Sequence, residues 1–173
     1  MTHGARHDGT AHGDSASAVV ITVSDRSARG ERPDASGPRA IALLGEAGIT
    51  ATSSIVPDGV ESVTRAIEAA IGFGARLVIT SGGTGISPRD LTPEGTRTVL
   101  VRELPGIAEA LRSDGARHNP MAVLSRGLAG IAGDPPSTIV VNLPGSVSAV
   151  EQGLAVLLPL VPHILDQLGG GDH

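Results

Sequence analysis

The 173-residue chain contains no lysine, no cysteine, no tryptophan and no tyrosine, and its one phenylalanine is Phe73. Without lysine there is no amine nucleophile, no Schiff base and no P-loop lysine. Any side-chain cation that meets a phosphate must therefore be one of thirteen arginines, each a planar fork of donors. The absence of cysteine removes disulfides, thiolate catalysis and zinc–thiolate sites, and suits a reducing compartment. A core without aromatics must be built from Val, Ile, Leu and Ala, and stacking of bases on aromatic rings is largely excluded. Long apolar runs are missing too: no stretch approaches the roughly 18 residues of a spanning helix, and the amino terminus lacks an apolar signal core. A formal charge of −5 argues against a general nucleic-acid binder, although a local arginine patch is compatible with it. These absences predict a cytoplasmic protein with neither a membrane nor a nucleic acid as partner.

What is present is a chain 40% apolar and long enough to bury one core, so a single domain over residues 18–168 is expected. Residues 1–17 are rich in Gly, His, Asp, Ser and Thr without apolar periodicity and read as a disordered tail, and residues 169–173 as a second flexible end. His3, His7 and His12 could hold a metal loosely, though scattered histidines of a solvated tail explain them as well. Between the tails, strand and helix patterns alternate. Residues 18–23 predict a buried strand, 38–47 a helix stopped by Gly48, 49–56 a more polar strand near an edge, and 60–71 a helix with apolar spacing at Val63, Ile67, Ala70 and Ile71. Residues 77–80 form the next strand, followed by helices within 93–102 and 105–112. Residues 127–132 and 138–143 read as two strands joined by Gly133-Asp134-Pro135-Pro136, and 147–168 as a helical pattern that Pro159 and Pro162 should break. The fold class that follows is α/β: a three-layer α/β/α arrangement, a mostly parallel sheet with helices on both faces and one antiparallel hairpin strand.

The most informative segment is 77–94. The apolar run Leu77-Val78-Ile79 opens into Thr80-Ser81-Gly82-Gly83-Thr84-Gly85, and Asp90 stands just before Thr92-Pro93-Glu94. Glycines at these positions permit positive φ and close approach of backbone N–H groups, which in succession make an anion-binding concavity. Thr92 is the expected N-cap, with Pro93 at the first helical position and Glu94 at the positive end of the helix dipole. The segment matches neither the Walker pattern nor the spacing of the Rossmann fingerprint. As pure structure it would be a tight turn; as chemistry it is a phosphate cradle beside a carboxylate.

In a parallel sheet, ligands bind beyond the carboxyl ends of the strands. Polar clusters fall at those ends: Ser24-Asp25 after the first strand, Thr80 to Gly85 after a central one, and Asn142-Leu143-Pro144-Gly145-Ser146 after the last. Asp25, Asp58, Asp90 and Glu94 are the acids nearest them. Two carboxylates on one rim could hold Mg²⁺ on a nucleotide's phosphates; each alone is as readily a cap or turn acid. Ser146 can cap the helix that begins at Val147, or hold an anion there. Ser24 and Ser125 are candidate donors to a phosphate or pterin, and neither has a histidine partner that would make it a nucleophile. His118 reads as a helix-end or surface residue, and Arg26, Arg89 and Arg126 adjoin the motifs as candidate phosphate contacts or surface ion pairs.

Taken in order, Val23-Ser24-Asp25-Arg26, Val56-Pro57-Asp58, Thr80-Ser81-Gly82-Gly83-Thr84-Gly85, Arg89-Asp90-Leu91-Thr92-Pro93-Glu94, Leu104-Pro105-Gly106, Leu124-Ser125-Arg126 and Asn142-Leu143-Pro144-Gly145-Ser146 resemble the molybdopterin adenylyltransferases, the MogA/MoaB-like proteins of molybdenum-cofactor biosynthesis, similar also to gephyrin-type G domains. The resemblance covers residues 18–168. It implies a homotrimer that transfers AMP from Mg-ATP to the terminal phosphate of molybdopterin and releases pyrophosphate, with a partner enzyme then inserting molybdate. It further implies Asp58 and Asp90 as the catalytic, metal-holding acids, and the loop from Ser81 to Gly85, Ser125 and the cluster from Asn142 to Ser146 as substrate contacts. The glycine at Gly95 and the long amino-terminal tail depart from the family pattern. Two other readings stay open: a non-catalytic paralogue that binds molybdopterin or its precursor, and a nucleotide pyrophosphatase-like hydrolase.

Overall fold

A computed structural model describes residues 17–171. Six strands form one sheet in the order β2-β1-β3-β6-β5-β4, with β1 at Ser17–Val23, β2 at Thr50–Val56, β3 at Leu77–Ser81, β4 at Leu100–Glu103, β5 at Ala129–Ala132 and β6 at Thr138–Leu143. β1, β2, β3 and β6 are parallel, and β5 runs antiparallel to both its neighbours, which makes β5 and β6 the expected hairpin. Every residue of β3 and β6 is buried, as a parallel strand covered on both faces requires. β2, exposing its Thr and Ser residues, lies at the edge that its polarity predicts.

Among the described residues, seven α-helices complete the layers: α1 at Asp25–Ala28, α2 at Ser36–Glu46, α3 at Val60–Gly72, α4 at Thr92–Arg97, α5 at Pro105–His118, α6 at Val147–Leu157 and α7 at Val161–Leu168. Because strand side chains alternate, Leu77 and Ile79 of β3 join Ile139, Val141 and Leu143 of β6 on one face, against Leu44 of α2, Leu154 of α6 and Val161 of α7. Val78 and Val140 turn the other way, onto Val63, Ile67 and Ala70 of α3. Each of these aliphatic side chains contributes about 1.5–3 kcal/mol by leaving water, so a core without aromatics suffices. No single helix among the described residues is long and apolar enough to cross a membrane; α6 and α7 together reach that length but bend by 57°. The break falls at residues 158–160, and Pro162 stands in the first turn of α7.

Several elements differ from the sequence expectation. The helix expected within residues 93–102 ends at Arg97, and the chain re-enters the sheet as β4. Val99-Leu100-Val101 suits a pleated surface better than a helix, and pairing with β5 satisfies its backbone. Gly130 permits that pairing, since a Cβ there would stand 2.4 Å from the carbonyl of Arg102. α5 continues six residues past the expected Arg112 to His118. Asn119 ends it and caps a 3-10 turn at Pro120–Leu124, which folds back so closely that a Cβ on Gly115 would lie 3.0 Å from that of Ala122. α2 starts at Ser36, two residues early, and ends at Glu46 with Ala47 as its C-cap, just before the expected stop at Gly48, whose φ is +77°. Thr92 is not an N-cap: it lies inside α4, and its hydroxyl donates to the carbonyl of Gly82 at 2.9 Å. Gly95, which weakens a helix in isolation, is needed here because a Cβ would stand 2.7 Å from the carbonyl of Val60. Ser17, placed with the tail by composition, already pairs with Thr50, and Gly169 to Gly171 close α7 by donating to carbonyls of its last turn. The remaining tail residues, with His3, His7 and His12, lie outside the described residues.

Candidate active site

Four strand ends place the polar clusters together. After β1, Ser24 caps α1 by accepting from the amide of Ser27 at 3.2 Å. Asp25 and Asp58 then bind each other's backbone: the Asp25 amide donates to Oδ2 of Asp58 at 2.9 Å, and the Asp58 amide donates to Oδ1 of Asp25 at 3.0 Å. This exchange ties the ends of β1 and β2. Asp25 also pairs with Arg89 through Oδ2 at 3.0 Å, so both its oxygens are used. Asp58 keeps Oδ1 without a hydrogen-bond partner among the described residues.

That free oxygen faces the glycine loop after β3. A Cβ on Gly83 would lie 3.3 Å from Asp58 Oδ1 and 2.4 Å from the hydroxyl of Thr92, and a Cβ on Gly85 would lie 2.8 Å from Asp90 Oδ2. Both positions thus need glycine to let the acids in, and Gly82 and Gly83 have φ of +108° and +63° besides. The loop amides divide into two kinds. Gly82 donates to the carbonyl of Leu143 at 3.0 Å, whereas those of Gly83, Thr84 and Gly85 have no acceptor among the described residues. Three adjacent N–H groups without an acceptor among the described residues thus stand beside two carboxylates, which is the donor set that the anion cradle expected from the sequence would need. Asp90 accepts from the amide of Ser87 at 2.9 Å through Oδ2, and its Oδ1 has no hydrogen-bond partner among the described residues.

The cradle opens into a cavity of about 480 Å³. Of the residues singled out from sequence, Gly82, Gly83, Thr84, Gly85, Asp90, Ser125, Asn142, Leu143, Pro144, Gly145 and Ser146 line it, and so does His118, the exposed last residue of α5. Ser24, Asp25, Asp58, Thr80, Ser81 and Glu94 do not; they stand behind or beside the loop and shape it. Ser81 donates to Ser36 at 3.1 Å, and Ser36 to Asp34 at 3.2 Å, a buried chain beneath the loop. Asn142 has its Oδ1 and Nδ2 committed: Nδ2 donates to Thr80 at 2.8 Å and Thr96 at 2.9 Å, and Oδ1 accepts from the amide of Leu128 at 3.0 Å. Ser146 caps α6 by accepting from the amide of Ala149 at 3.2 Å.

Arg126 holds the rim. Its amide donates to the carbonyl of Thr84 at 2.8 Å, its Nε to that of Gly85 at 2.8 Å and its Nη2 to that of Asp90 at 2.5 Å, while Nη1 and Nη2 grip the Glu94 carboxylate. The Arg126 hydrogen bond holds the Glu94 carboxyl below its usual range, and Glu94 in turn raises the guanidinium. No three His, Cys, Asp or Glu cluster among the described residues, so a divalent cation beside the loop would rest on two carboxylates at most, Asp58 and Asp90 being the candidates. Two hard oxygens, completed by water and phosphate, suit Mg²⁺, which keeps much of its hydration.

Sequence reasoning missed one wall. Ala108, Leu111, Arg112 and Gly115 of α5 line the cavity at helical spacing, as do Ala149, Gln152 and Gly153 of α6. The i, i+3, i+4, i+7 pattern was present in α5, but ending that helix at Arg112 hid it.

The chain is 43% identical over 157 residues to the molybdenum cofactor biosynthesis bifunctional protein of Synechococcus elongatus, covering 90% of itself and 48% of that protein. It spans half or less of the length of several such curated relatives. It is 43% identical over 148 residues to the molybdopterin adenylyltransferase of Pyrococcus furiosus, covering 84% of itself and 87% of that protein. Among solved structures, a molybdopterin biosynthesis protein from Mycobacterium abscessus superposes with a TM-score of 0.84 at 44% identity, over 90% of this chain and 97% of that one. The family described as "Probable molybdopterin binding domain" matches residues 19–163, and the chain belongs to that family.

Proposed function

We propose that the protein is a molybdopterin adenylyltransferase of molybdenum-cofactor biosynthesis, using ATP to adenylylate the phosphate of molybdopterin. One observation carries the reading beyond the names of its relatives: three partnerless loop amides, flanked by Asp58 and Asp90, open on a cavity large enough for a ring system. A pterin-binding carrier has no need of two carboxylates with free oxygens aimed at a phosphate loop.

The reaction forms a P–O bond between an oxygen of the pterin phosphate and the α-phosphorus of ATP. The bond from that phosphorus to its α,β-bridging oxygen breaks, and pyrophosphate leaves with the electron pair. Both reactants are anionic, so the protein's task is to hold them in line and offset their repulsion. The amides of Gly83, Thr84 and Gly85 donate to phosphate oxygens, and the ties from Arg126 and Thr92 keep those amides in place before substrate arrives. Asp58 and Asp90 would hold Mg²⁺, which when bound neutralises charge on the phosphates. Ala149, Gly145 and Gly153 give the ring room, and a Cβ on Gly153 would strike Leu143 at 2.6 Å. The same reading includes a homotrimer in the cytoplasm and transfer of the product to a molybdate-inserting enzyme.

The deciding experiment is pyrophosphate release from Mg-ATP by the purified protein, with and without molybdopterin. Release that requires molybdopterin supports the transferase. Release without it points to a hydrolase, and pterin binding with no release points to a carrier.

A further inference from the structure

The glycine loop is one anion site of the cavity, and α5 supplies a charge for a second. Arg112 is the only arginine among the lining residues, in a chain that has no lysine. Arg89, by contrast, is neutralised by Asp25 and Arg126 by Glu94, and neither lines the cavity. Arg112 forms no ion pair among the described residues. Its Nη1 donates to two carbonyls, those of Gly127 at 3.1 Å and Ser125 at 3.4 Å, while Nε and Nη2 have no acceptor among the described residues.

This arrangement is poised. The two carbonyls tether Nη1 and so orient the guanidinium plane, which leaves the Nε–Nη2 edge, the side-on fork that matches two oxygens of one phosphate. A half-buried guanidinium without a counter-charge has given up hydration for no ionic partner, and an incoming anion would supply one. We propose that Arg112 docks a phosphate group of a substrate through its Nε–Nη2 edge, making a second phosphate subsite beside the glycine loop. The inference rests on the adenylyltransferase reading, in which two phosphate-bearing molecules must share one cavity.

Equilibrium binding by calorimetry tests it, on the full chain, with two ligand pairs: molybdopterin against its dephosphorylated form, and ATP against adenosine. For Arg112→Gln, the phosphorylated member of one pair should bind roughly tenfold more weakly or worse, with its phosphate-free counterpart unchanged. The pair that shows the difference identifies which substrate the arginine meets. Arg112→Lys, which keeps the charge and loses the fork, should recover part of the affinity. If Arg112→Gln fails to fold, the lysine variant carries the test through a smaller loss confined to the phosphorylated ligand. An equal loss on both members of both pairs would assign Arg112 to packing alone, and no loss would remove it from the site; either overturns the inference. Wild-type protein that binds neither molybdopterin nor ATP would instead overturn the adenylyltransferase reading, and this inference with it.

Discussion

Asn142 and the loop at residues 83–85 line the same cavity and come from motifs that look equally functional in sequence, yet their polar groups are in opposite states. The Asn142 side chain makes three hydrogen bonds, joining β6 to β3, to α4 and to the start of β5, and it is 3% exposed. The amides of Gly83, Thr84 and Gly85 and one oxygen of each flanking acid make none among the described residues. A buried group with every bond satisfied holds a site together, whereas a group left unsatisfied at a cavity is available to a ligand. The motif is thus part scaffold and part chemistry, and only hydrogen-bond accounting separates the two.

Substitutions can break that division from either side. The largest effect on turnover is expected for Asp90→Asn. The new amide oxygen can still accept from Ser87, so the loop should keep its shape, while the charge beside the cradle is gone. Molybdopterin-dependent pyrophosphate release should fall by about 10²–10³-fold with the melting temperature nearly unchanged. Unchanged release would strike Asp90 from the catalytic set. Asn142→Ala attacks the scaffold instead. It orphans the partly buried amide of Leu128 and takes a partner from the buried Thr80 and Thr96, so urea unfolding should show a loss of about 3 kcal/mol without a change in slope. Stability within 1 kcal/mol of wild type would mean that Asn142 is free to serve substrate after all.

Much of this was legible in the sequence, and for identifiable reasons. Strands β1, β3 and β6 are built around aliphatic runs, Ala18 to Ile21, Leu77 to Ile79 and Ile139 to Val141, which a buried parallel sheet demands, and Gly82 and Gly83 announce a loop with positive φ. β4 is hidden because Thr92-Pro93-Glu94 is a strong helix start with no local stop signal after it; the partner that stops it, β5, lies some thirty residues away in the chain. Local pattern could not reveal that Asp25 and Glu94 are bound to Arg89 and Arg126 while Asp58 and Asp90 keep an oxygen free. That difference depends on arginines brought in by the tertiary fold. Arg112 is hidden for a related reason: the sequence after it does not read as helix, so the spacing through Gly115 that puts it on the cavity wall is incomplete.

Gly95→Ala sharpens the comparison at the back of the site, where small size rather than hydrogen bonding is the requirement. In an isolated helix this exchange stabilises by up to about 1 kcal/mol. Here the new Cβ would stand 2.7 Å from the carbonyl of Val60 and 2.9 Å from Cβ of Val63, so α4 must move off α3. A net loss of about 1–3 kcal/mol is expected from denaturant unfolding. A gain would show that the two helices are less tightly apposed than these distances require.

The smallest effect should come from the pair that holds the rim, and its sign follows from the titration of Glu94. The hydrogen bond from Arg126 keeps this carboxyl below the ordinary glutamate value, so the folded state binds the proton less readily than the unfolded one. The resulting stability is fully present above the unfolded value and disappears as pH falls through the lower, folded one. Because the two side chains are 39% and 38% exposed, solvent screening leaves the pair worth well under about 1 kcal/mol at neutral pH. Glu94→Gln should therefore melt almost as wild type at pH 7, with the difference shrinking further in acid. Turnover should stay close to wild type, because Arg126 keeps its bonds to the carbonyls of Thr84, Gly85 and Asp90. Arg126→Ala removes the side-chain bonds to the carbonyls of Gly85 and Asp90 as well as the grip on Glu94, and should lower kcat more than Glu94→Gln does. If the two variants lost activity equally, the carboxylate rather than the guanidinium would be the working part of the clamp, and Glu94 would return to the chemistry that its place beside the motif first suggested.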